Sequence, residues 1–364
     1  MGEKLYSPID TIRATFYNQC VMRVDLFDYH LPPERIAQTP VPRGQSRLMV
    51  LHRAEKRIEH RPFSAFLEYL REGDTLVLND TRVIARRLAG VRENGLDAEI
   101  FLLKPTGERS WEALVRPGKS LKPGKSVTLR DEHGNPVTVL VTGETEEGGR
   151  FLEFATAELR DRAALWGVTP LPPYITQPLP ASEEERYQTV YGTAAGSAAA
   201  PTAGLHFTSE MLTEAEAKGI SLARVTLHVG VGTFRPMRGD TLEEHEMHAE
   251  TYTITSDAAR VINATKGKVF AVGTTSTRTL ETISRLAKAG ERVAAGSGET
   301  RLFLKPGDTF RAVDALLTNF HLPKSTLLAL VSAFADQEFV MRAYRVAVEE
   351  EYRFFSFGDA MLIL

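Results

Sequence analysis

Between residues 75 and 155 the chain runs in short apolar or alternating stretches, the period of two expected of strands. The stretches are TLVLND (75–80), RVIARRLAGV (82–91), AEIFLLK (98–104), SWEALVR (110–116), SVTLR (126–130), PVTVLVT (136–142) and RFLEFA (150–155). Turn formers divide them: Asn94-Gly95, Pro117-Gly118, Pro123-Gly124 and Gly134-Asn135. About seven strands at this spacing predict a small barrel or sandwich. We assign residues 75–155 to an inserted β-barrel domain.

After residue 155 the rhythm changes to strand followed by helix. VTLHVGVGTF (225–234) reads as a strand entering a glycine loop, TYTIT (251–255) precedes a helix capped by Ser256, and VFAVGTT (269–275) is a buried strand. Ser276 is the expected cap of the next helix, and Pro323 and Ser325 open another after VDALLTNF (313–320). A last helix near 337–352 leads to the apolar run AMLIL. This alternation predicts an α/β domain with a partly parallel sheet. Residues 22–60 are too short for a domain and are expected to pack against it. The fold class is thus a discontinuous mixed α/β domain, 22–74 and 156–364, interrupted by the barrel, with residues 1–21 as an N-terminal extension. The small-residue stretch GTAAGSAAAPTAG (192–204) reads as a flexible linker or as a loop that lets backbone approach a ligand, and its junction with LHFT favours the second reading.

Composition adds exclusions. A hydrophobic share of 43% and a charged share of 25% fit a packed globular chain. The single cysteine, Cys20, excludes an intrachain disulfide and a cysteine-cluster zinc site. No apolar run reaches membrane-spanning length, and the first twenty residues lack a secretory pattern, so we expect a soluble cytoplasmic protein. The net charge of −3 hides an asymmetry, because residues 82–130 carry 11 basic against 5 acidic side chains. Such a segment matches either a polyanion such as nucleic acid or a solvated basic face.

Familiar motifs fail. Both GKS triplets (118–120 and 124–126) lack the earlier glycine of a P-loop, and Gly230-Val231-Gly232 lacks the third glycine of a dinucleotide fingerprint. His245 and His248 are one residue short of the zincin spacing and have no matched third ligand, so no metal is expected. What remains are polar residues at strand ends: His206 after the PTAG loop, His228 beside a glycine turn, Thr274, Thr275 and Ser276 at a strand-to-helix junction, and Arg278 and Glu281 just beyond. Asn319 and His321 end the following strand, with Lys324 near the next helix start. Carboxyl ends of strands and helix N-termini are where α/β sheets bind ligands and anions.

At these residues the sequence resembles the S-adenosylmethionine:tRNA ribosyltransferase-isomerases of queuosine biosynthesis. The matching segments are FDYHLPPERIAQTP (27–40), LVLNDTRVIARRL (76–88), RYQTVYG (186–192), GSAAAPTAGLHFT (196–208), TLHVGVGTFRP (226–236), HEMHAE (245–250), VGTTSTRTLE (272–281), TNFHLPKSTLL (318–328) and YRFFSFGDAMLI (352–363). They follow the family's order from Phe27 to the C-terminus. Ala198, Gly192 and Phe357 are conservative departures. Met22 resembles the family's usual start, which leaves residues 1–21 as an extension.

The resemblance implies a monomer with an inserted barrel. It implies transfer and isomerisation of the ribosyl part of S-adenosylmethionine onto 7-aminomethyl-7-deazaguanine at the tRNA wobble position. Epoxyqueuosine-tRNA, adenine and methionine are the implied products. S-adenosylmethionine is then a consumed substrate, and no metal or cofactor is implied. The chemistry needs proton transfers suited to histidine. These fall to His206, His228 and His248, with Glu250 orienting or sharing the base role. Arg278 with the 274–276 junction, or Lys324, is expected to hold the methionine carboxylate. Asp80 or Glu281 is expected to read the ribose hydroxyls, although Asp80-Thr81-Arg82 also reads as a turn with a local ion pair. Asn319 and His321 complete the expected substrate contacts. Arg82, Arg86, Arg87, Arg116, Lys119 and Lys122 are expected to contact phosphates of the tRNA anticodon stem-loop. Phe207, Phe234 and Phe320 are either stacking partners or core. A methyltransferase, a non-catalytic RNA-binding protein and a metal hydrolase stand as competing readings.

Overall fold

The computed structural model describes residues 22–146, 148–177, 179–230, 237 and 239–364. The expected extension with Cys20, the loop residues Val231 and Gly232, and Phe234 lie outside them. In chain order the strands are β1 (Arg47–His52), β2 (Arg57–Pro62), β3 (Thr75–Asn79), β4 (Thr81–Val83), β5 (Arg86–Arg92), β6 (Asp97–Pro105), β7 (Ser110–Arg116), β8 (Ser126–Arg130) and β9 (Pro136–Glu144). They continue as β10 (Arg150–Glu153), β11 (Ala194–Ser197), β12 (Ser221–Leu227), β13 (Glu250–Ile254), β14 (Val269–Val272), β15 (Gly296–Thr300), β16 (Ala315–Asn319) and β17 (Ala360–Ile363). The helices are α1 (Ala157–Arg162), α2 (Ser209–Ala217), α3 (Ser256–Asn263), α4 (Thr274–Ser284), α5 (Thr326–Ala335) and α6 (Gln337–Glu349).

Nine strands form one mixed sheet in the order β15-β13-β12-β3-β14-β16-β17-β1-β2. Its middle, β12-β3-β14-β16, is parallel throughout. Successive side chains of these strands serve opposite faces. Val77, Val225, Ala271 and Leu316 join the core built with the helix residues Leu280, Ile283 and Leu330. Leu76, Leu78, Phe270 and Val272 instead pack with Phe63, Phe66, Phe207 and Leu212. Both faces are covered, so the central strands read as continuous apolar runs. Phe207 and Phe320 are fully buried core residues.

Six strands close a separate barrel in the order β10-β7-β6-β5-β8-β9. Here alternation is clean: Val137, Val139 and Val141 of β9 face inward, as do Ala98, Ile100 and Leu102 of β6. Closure leaves no unpaired edge. The strand expected to open this barrel, 75–80, lies instead at the centre of the large sheet, and the barrel starts at Arg86. All five residues of β3 are buried, the mark of a strand covered on both faces. The run expected at 82–91 splits into β4, which pairs with β11, and β5.

Two expected helix caps also move. Thr255 caps α3, its hydroxyl accepting from the Ala258 amide at 3.2 Å. Gly273 stands at the start of α4 with φ of 91°, a conformation that favours glycine, while Ser276 lies within the helix and donates to Val272 O at 2.8 Å. Ser325 does cap α5.

Candidate active site

The four parallel strands β12, β3, β14 and β16 end on the same side, and residues at or just beyond the carboxyl ends of β12, β14 and β16 border one cavity of about 290 Å³. Gly273, Thr274 and Thr275 bring the first turn of α4 to it, and Ser325 and Leu327 bring the start of α5. The 200–203 segment, Val229, Leu322, Phe355 and Tyr174 supply largely apolar walls. Tyr174 and Phe355 pack with ring centroids 4.6 Å apart, and the Tyr174 hydroxyl meets Ser356 Oγ at 2.7 Å. The small-residue segment thus forms a cavity wall, because alanine and threonine keep its backbone close to the strand ends.

Of the expected substrate residues, Thr274, Thr275, Asn319 and His321 line this cavity. Asn79, at the end of β3, ties the neighbouring ends together: Nδ2 donates to Leu227 O at 3.0 Å and to Thr275 Oγ1 at 3.1 Å. His321 Nε2 lies 2.9 Å from Thr318 Oγ1, and burial pushes its imidazole down to about 3, so the ring is neutral. Asp80, Ser276, Arg278, Glu281 and Lys324 do not line the cavity. Glu281 is fully buried and accepts the amides of Arg311, Ala312 and Val313, which anchors a loop. Lys324 is exposed and paired with Asp28 at 2.7 Å. Arg278 donates to Glu250 and to Leu302 O at 3.2 Å, and its Nη2 is buried without a partner among the described residues.

The histidines fall into three environments. His228 follows β12, half-buried, with Nδ1 2.7 Å from Thr81 Oγ1, while the Thr81 hydroxyl reaches Ala194 O at 3.4 Å. Burial lowers its imidazole below the ordinary value, and the nearby Asp80 charge opposes that. Its ring packs on Gly196, where a Cβ would sit 2.7–3.0 Å from the ring atoms. Asp80 accepts from Thr226 Oγ1 at 2.7 Å, on the same side. His206 is buried with both ring nitrogens occupied: Nδ1 by Ser46 Oγ at 2.8 Å and Nε2 by Asn319 Nδ2 at 3.3 Å. Burial brings it down to about 4. Neither His206 nor His228 lines the cavity, and His206 stands behind Asn319. His248 is half-buried in the segment before β13 and also stands outside the cavity wall. Glu250 is buried and holds the Gly230 amide at 3.1 Å, two residues beyond His228. Among the described residues no group of three or more His, Cys, Asp or Glu converges as a metal site, His245 and His248 included.

The six expected phosphate-binding residues divide in the same way. Arg87, Arg116, Lys119 and Lys122 are exposed on the barrel. Arg87 and Arg116 flank Glu99 and line a second cleft of about 200 Å³ between the barrel and residues 170–173. Ala198 lies at this cleft, two residues before Ala200 of the first cavity, so one segment borders both. Arg82 is partly exposed and pairs with Glu185 at 2.5 Å. Arg86 is half-buried and fully engaged, donating to Ala164 O at 2.7 Å, Thr169 Oγ1 at 2.6 Å and Glu184 at 2.8 Å. It clamps the barrel to the returning chain, so Arg86→Met is expected to cost about 1–3 kcal/mol in urea unfolding. An unaltered salt dependence of tRNA binding in that variant checks that the residue is not a phosphate contact.

Sequence reasoning did not single out Ser46 or Tyr174. Ser46 lies 160 positions from its partner His206, and no local pattern connects them.

A cavity at the carboxyl ends of parallel strands, in an α/β domain that carries an inserted barrel, is the arrangement of an α/β enzyme that holds a small ligand. The family described as "Queuosine biosynthesis protein" matches residues 24–363. The chain is 53% identical over 352 residues to the S-adenosylmethionine:tRNA ribosyltransferase-isomerase of Symbiobacterium thermophilum, covering 94% of this chain and all of that one. It is 43% identical to the S-adenosylmethionine tRNA ribosyltransferase of Thermotoga maritima in its crystal structure, covering 93% of this chain and all of that one with a TM-score of 0.53. The chain belongs to the queuosine biosynthesis protein family. Among the described residues no helix is long and apolar enough to cross a membrane.

Proposed function

We propose that the chain transfers and isomerises the ribosyl moiety of S-adenosylmethionine onto 7-aminomethyl-7-deazaguanine at the tRNA wobble position, giving epoxyqueuosine-tRNA, adenine and methionine. The carrying observation is the 53% identity that spans the whole of the named relative. S-adenosylmethionine is a consumed substrate and no further cofactor takes part. The largely apolar walls of the 290 Å³ cavity suit the flat faces of its adenine, and the α4 N-terminus at Thr274 and Thr275 suits its carboxylate.

The sulfonium acidifies the adjacent ribose carbon, and His228 is the base that removes the proton. Its support is geometric: the Thr81 hydroxyl accepts from Nδ1–H and passes its own hydrogen toward Ala194 O, which leaves Nε2 basic. Glu250 holds the turn that carries His228 through the Gly230 amide. His248 remains the candidate for protonating departing adenine. Asp80, beside His228, remains the candidate for the ribose hydroxyls.

Arg82, Arg87, Arg116, Lys119 and Lys122 form the tRNA platform for the anticodon stem-loop, on a cytoplasmic, monomeric enzyme as the family implies. Reversing Arg87, Arg116, Lys119 and Lys122 to glutamate together is expected to weaken tRNA binding at least about tenfold in roughly 0.1 M salt and to flatten its salt dependence. Unchanged affinity would remove the barrel as the platform.

Product analysis tests the reaction itself. The purified chain is incubated with S-adenosylmethionine and tRNA carrying the aminomethyl-deazaguanine, and adenine release and nucleoside mass are followed together. Stoichiometric adenine with a wobble nucleoside heavier by the epoxycyclopentane unit supports the reading. Release of S-adenosylhomocysteine, or binding without turnover, overturns it.

A further inference from the structure

We infer that Asn319 is the residue that recognises the exocyclic amine of the adenine in S-adenosylmethionine, through a side-chain oxygen whose orientation the protein fixes. The inference rests on the proposal that this cavity holds S-adenosylmethionine.

Asn319 ends β16, is 3% exposed and lines the cavity. Its amide nitrogen lies 2.9 Å from the Phe355 carbonyl, which can only accept. That contact forbids the flipped amide, because oxygen would then face oxygen. The second N–H is directed to His206 Nε2 at 3.3 Å, so Nε2 must be the unprotonated nitrogen and Nδ1–H donates to Ser46 Oγ at 2.8 Å. Burial keeps His206 neutral in agreement with this tautomer. Both N–H groups of Asn319 are therefore used, and its oxygen is the acceptor the side chain has left to offer.

That oxygen is buried and meets no donor among the described residues. A buried acceptor without a partner is costly, and a ligand donor relieves the cost. The donor must be neutral, since an ammonium set against a neutral amide and apolar walls keeps an uncompensated charge. The walls beside Asn319 include the packed rings of Tyr174 and Phe355, which suit a flat heteroaromatic system. The neutral donor at the edge of such a ring in S-adenosylmethionine is the adenine amine. His206 and Ser46 are then positioning residues, holding the acceptor without touching substrate.

The test compares S-adenosylmethionine with its 6-deamino analogue, in which hydrogen replaces the amine, by calorimetric titration. The wild type is expected to prefer S-adenosylmethionine by about 10- to 100-fold. In Asn319→Ala the preference is expected to collapse to within about threefold, with S-adenosylmethionine binding weakened to the level of the analogue. A merely structural role lowers both affinities together and keeps the ratio, which overturns the inference. Ser46→Ala, remote from the cavity wall, provides a second reading if Asn319→Ala does not fold: its ratio is expected to shrink while the far-ultraviolet spectrum is retained, and an unchanged ratio again overturns the inference. Collapse of discrimination against a 2′-deoxy analogue instead assigns the acceptor to the ribose and also overturns it. Leu322→Trp, which grows into the cavity, tests the underlying reading separately. Retained S-adenosylmethionine binding there means that the ligand lies elsewhere. Lost binding together with an unchanged ratio in Asn319→Ala means that only the amine assignment fails.

Discussion

Replacing His228 with alanine is expected to lower kcat by about 10²- to 10⁴-fold, the contribution of a positioned general base. Binding of S-adenosylmethionine should change little, because the loss falls on proton transfer rather than on the cavity walls. The pH profile provides a sharper check. The base must be neutral to act, and burial has lowered its imidazole. Activity should therefore persist as pH falls below the ordinary imidazole value of about 6.5, and be lost only as pH passes through the depressed value. Thr81→Val removes the hydroxyl that orients Nδ1 and should move this acid limb as well as the rate. Turnover within about tenfold of wild type in His228→Ala would end the assignment of His228 as base.

The second large effect concerns Glu250 and Arg278, which are 4% exposed each and paired to one another. Glu250→Gln leaves a guanidinium buried without its counter-charge, and should cost about 3–5 kcal/mol in denaturant unfolding at neutral pH. The double replacement Glu250→Leu with Arg278→Met should recover much of that stability, since neither desolvated charge remains. Activity should not recover with it. Glu250 also accepts the Gly230 amide at 3.1 Å, and leucine cannot, so the segment bearing His228 loses that support in the double variant. A loss below about 1 kcal/mol in the single variant would mean that the pair is not desolvated as the structure shows it.

The separation of stability from activity in that pair reflects a general feature of this site. Charged residues near the cavity are committed to the protein. Arg278 neutralises Glu250, Lys324 pairs with Asp28, Glu281 anchors three backbone amides, and Arg86 clamps the barrel. What the cavity presents is neutral: backbone amides of helix starts, threonine hydroxyls, one asparagine oxygen and neutral imidazole. Such a site can hold a sulfonium zwitterion without competing fixed charges around the reacting ribose. Exposed cations, Arg87, Arg116, Lys119 and Lys122, lie outside it on the barrel.

Much of this was legible in the chain. Alternation in PVTVLVT and AEIFLLK indicated a barrel or sandwich, because one face of each strand meets a core and the other meets water, and that pattern is local; closure into a barrel is a matter of pairing. The strand-then-helix rhythm after residue 155 determined the α/β class for the same reason. The segments around 196–208, 226–236 and 318–328 were enough to indicate the family and its chemistry. The placement of 75–79 was not legible: so short an apolar run in the sequence serves a barrel strand or a sheet centre, and pairing with β12 and β14 decides. Nor was the use of each ionisable group. A sequence shows that Arg278 or Lys324 carries a charge, but whether the charge is free depends on a partner brought near by the fold. Ser46, His206 and Asn319 meet across 160 and 113 residues, and no pattern of neighbours along the chain encodes that meeting. Local periodicity reports burial of faces. Hydrogen-bond partners are set by tertiary packing, because directional contacts a few ångströms long depend on how distant segments are brought side by side.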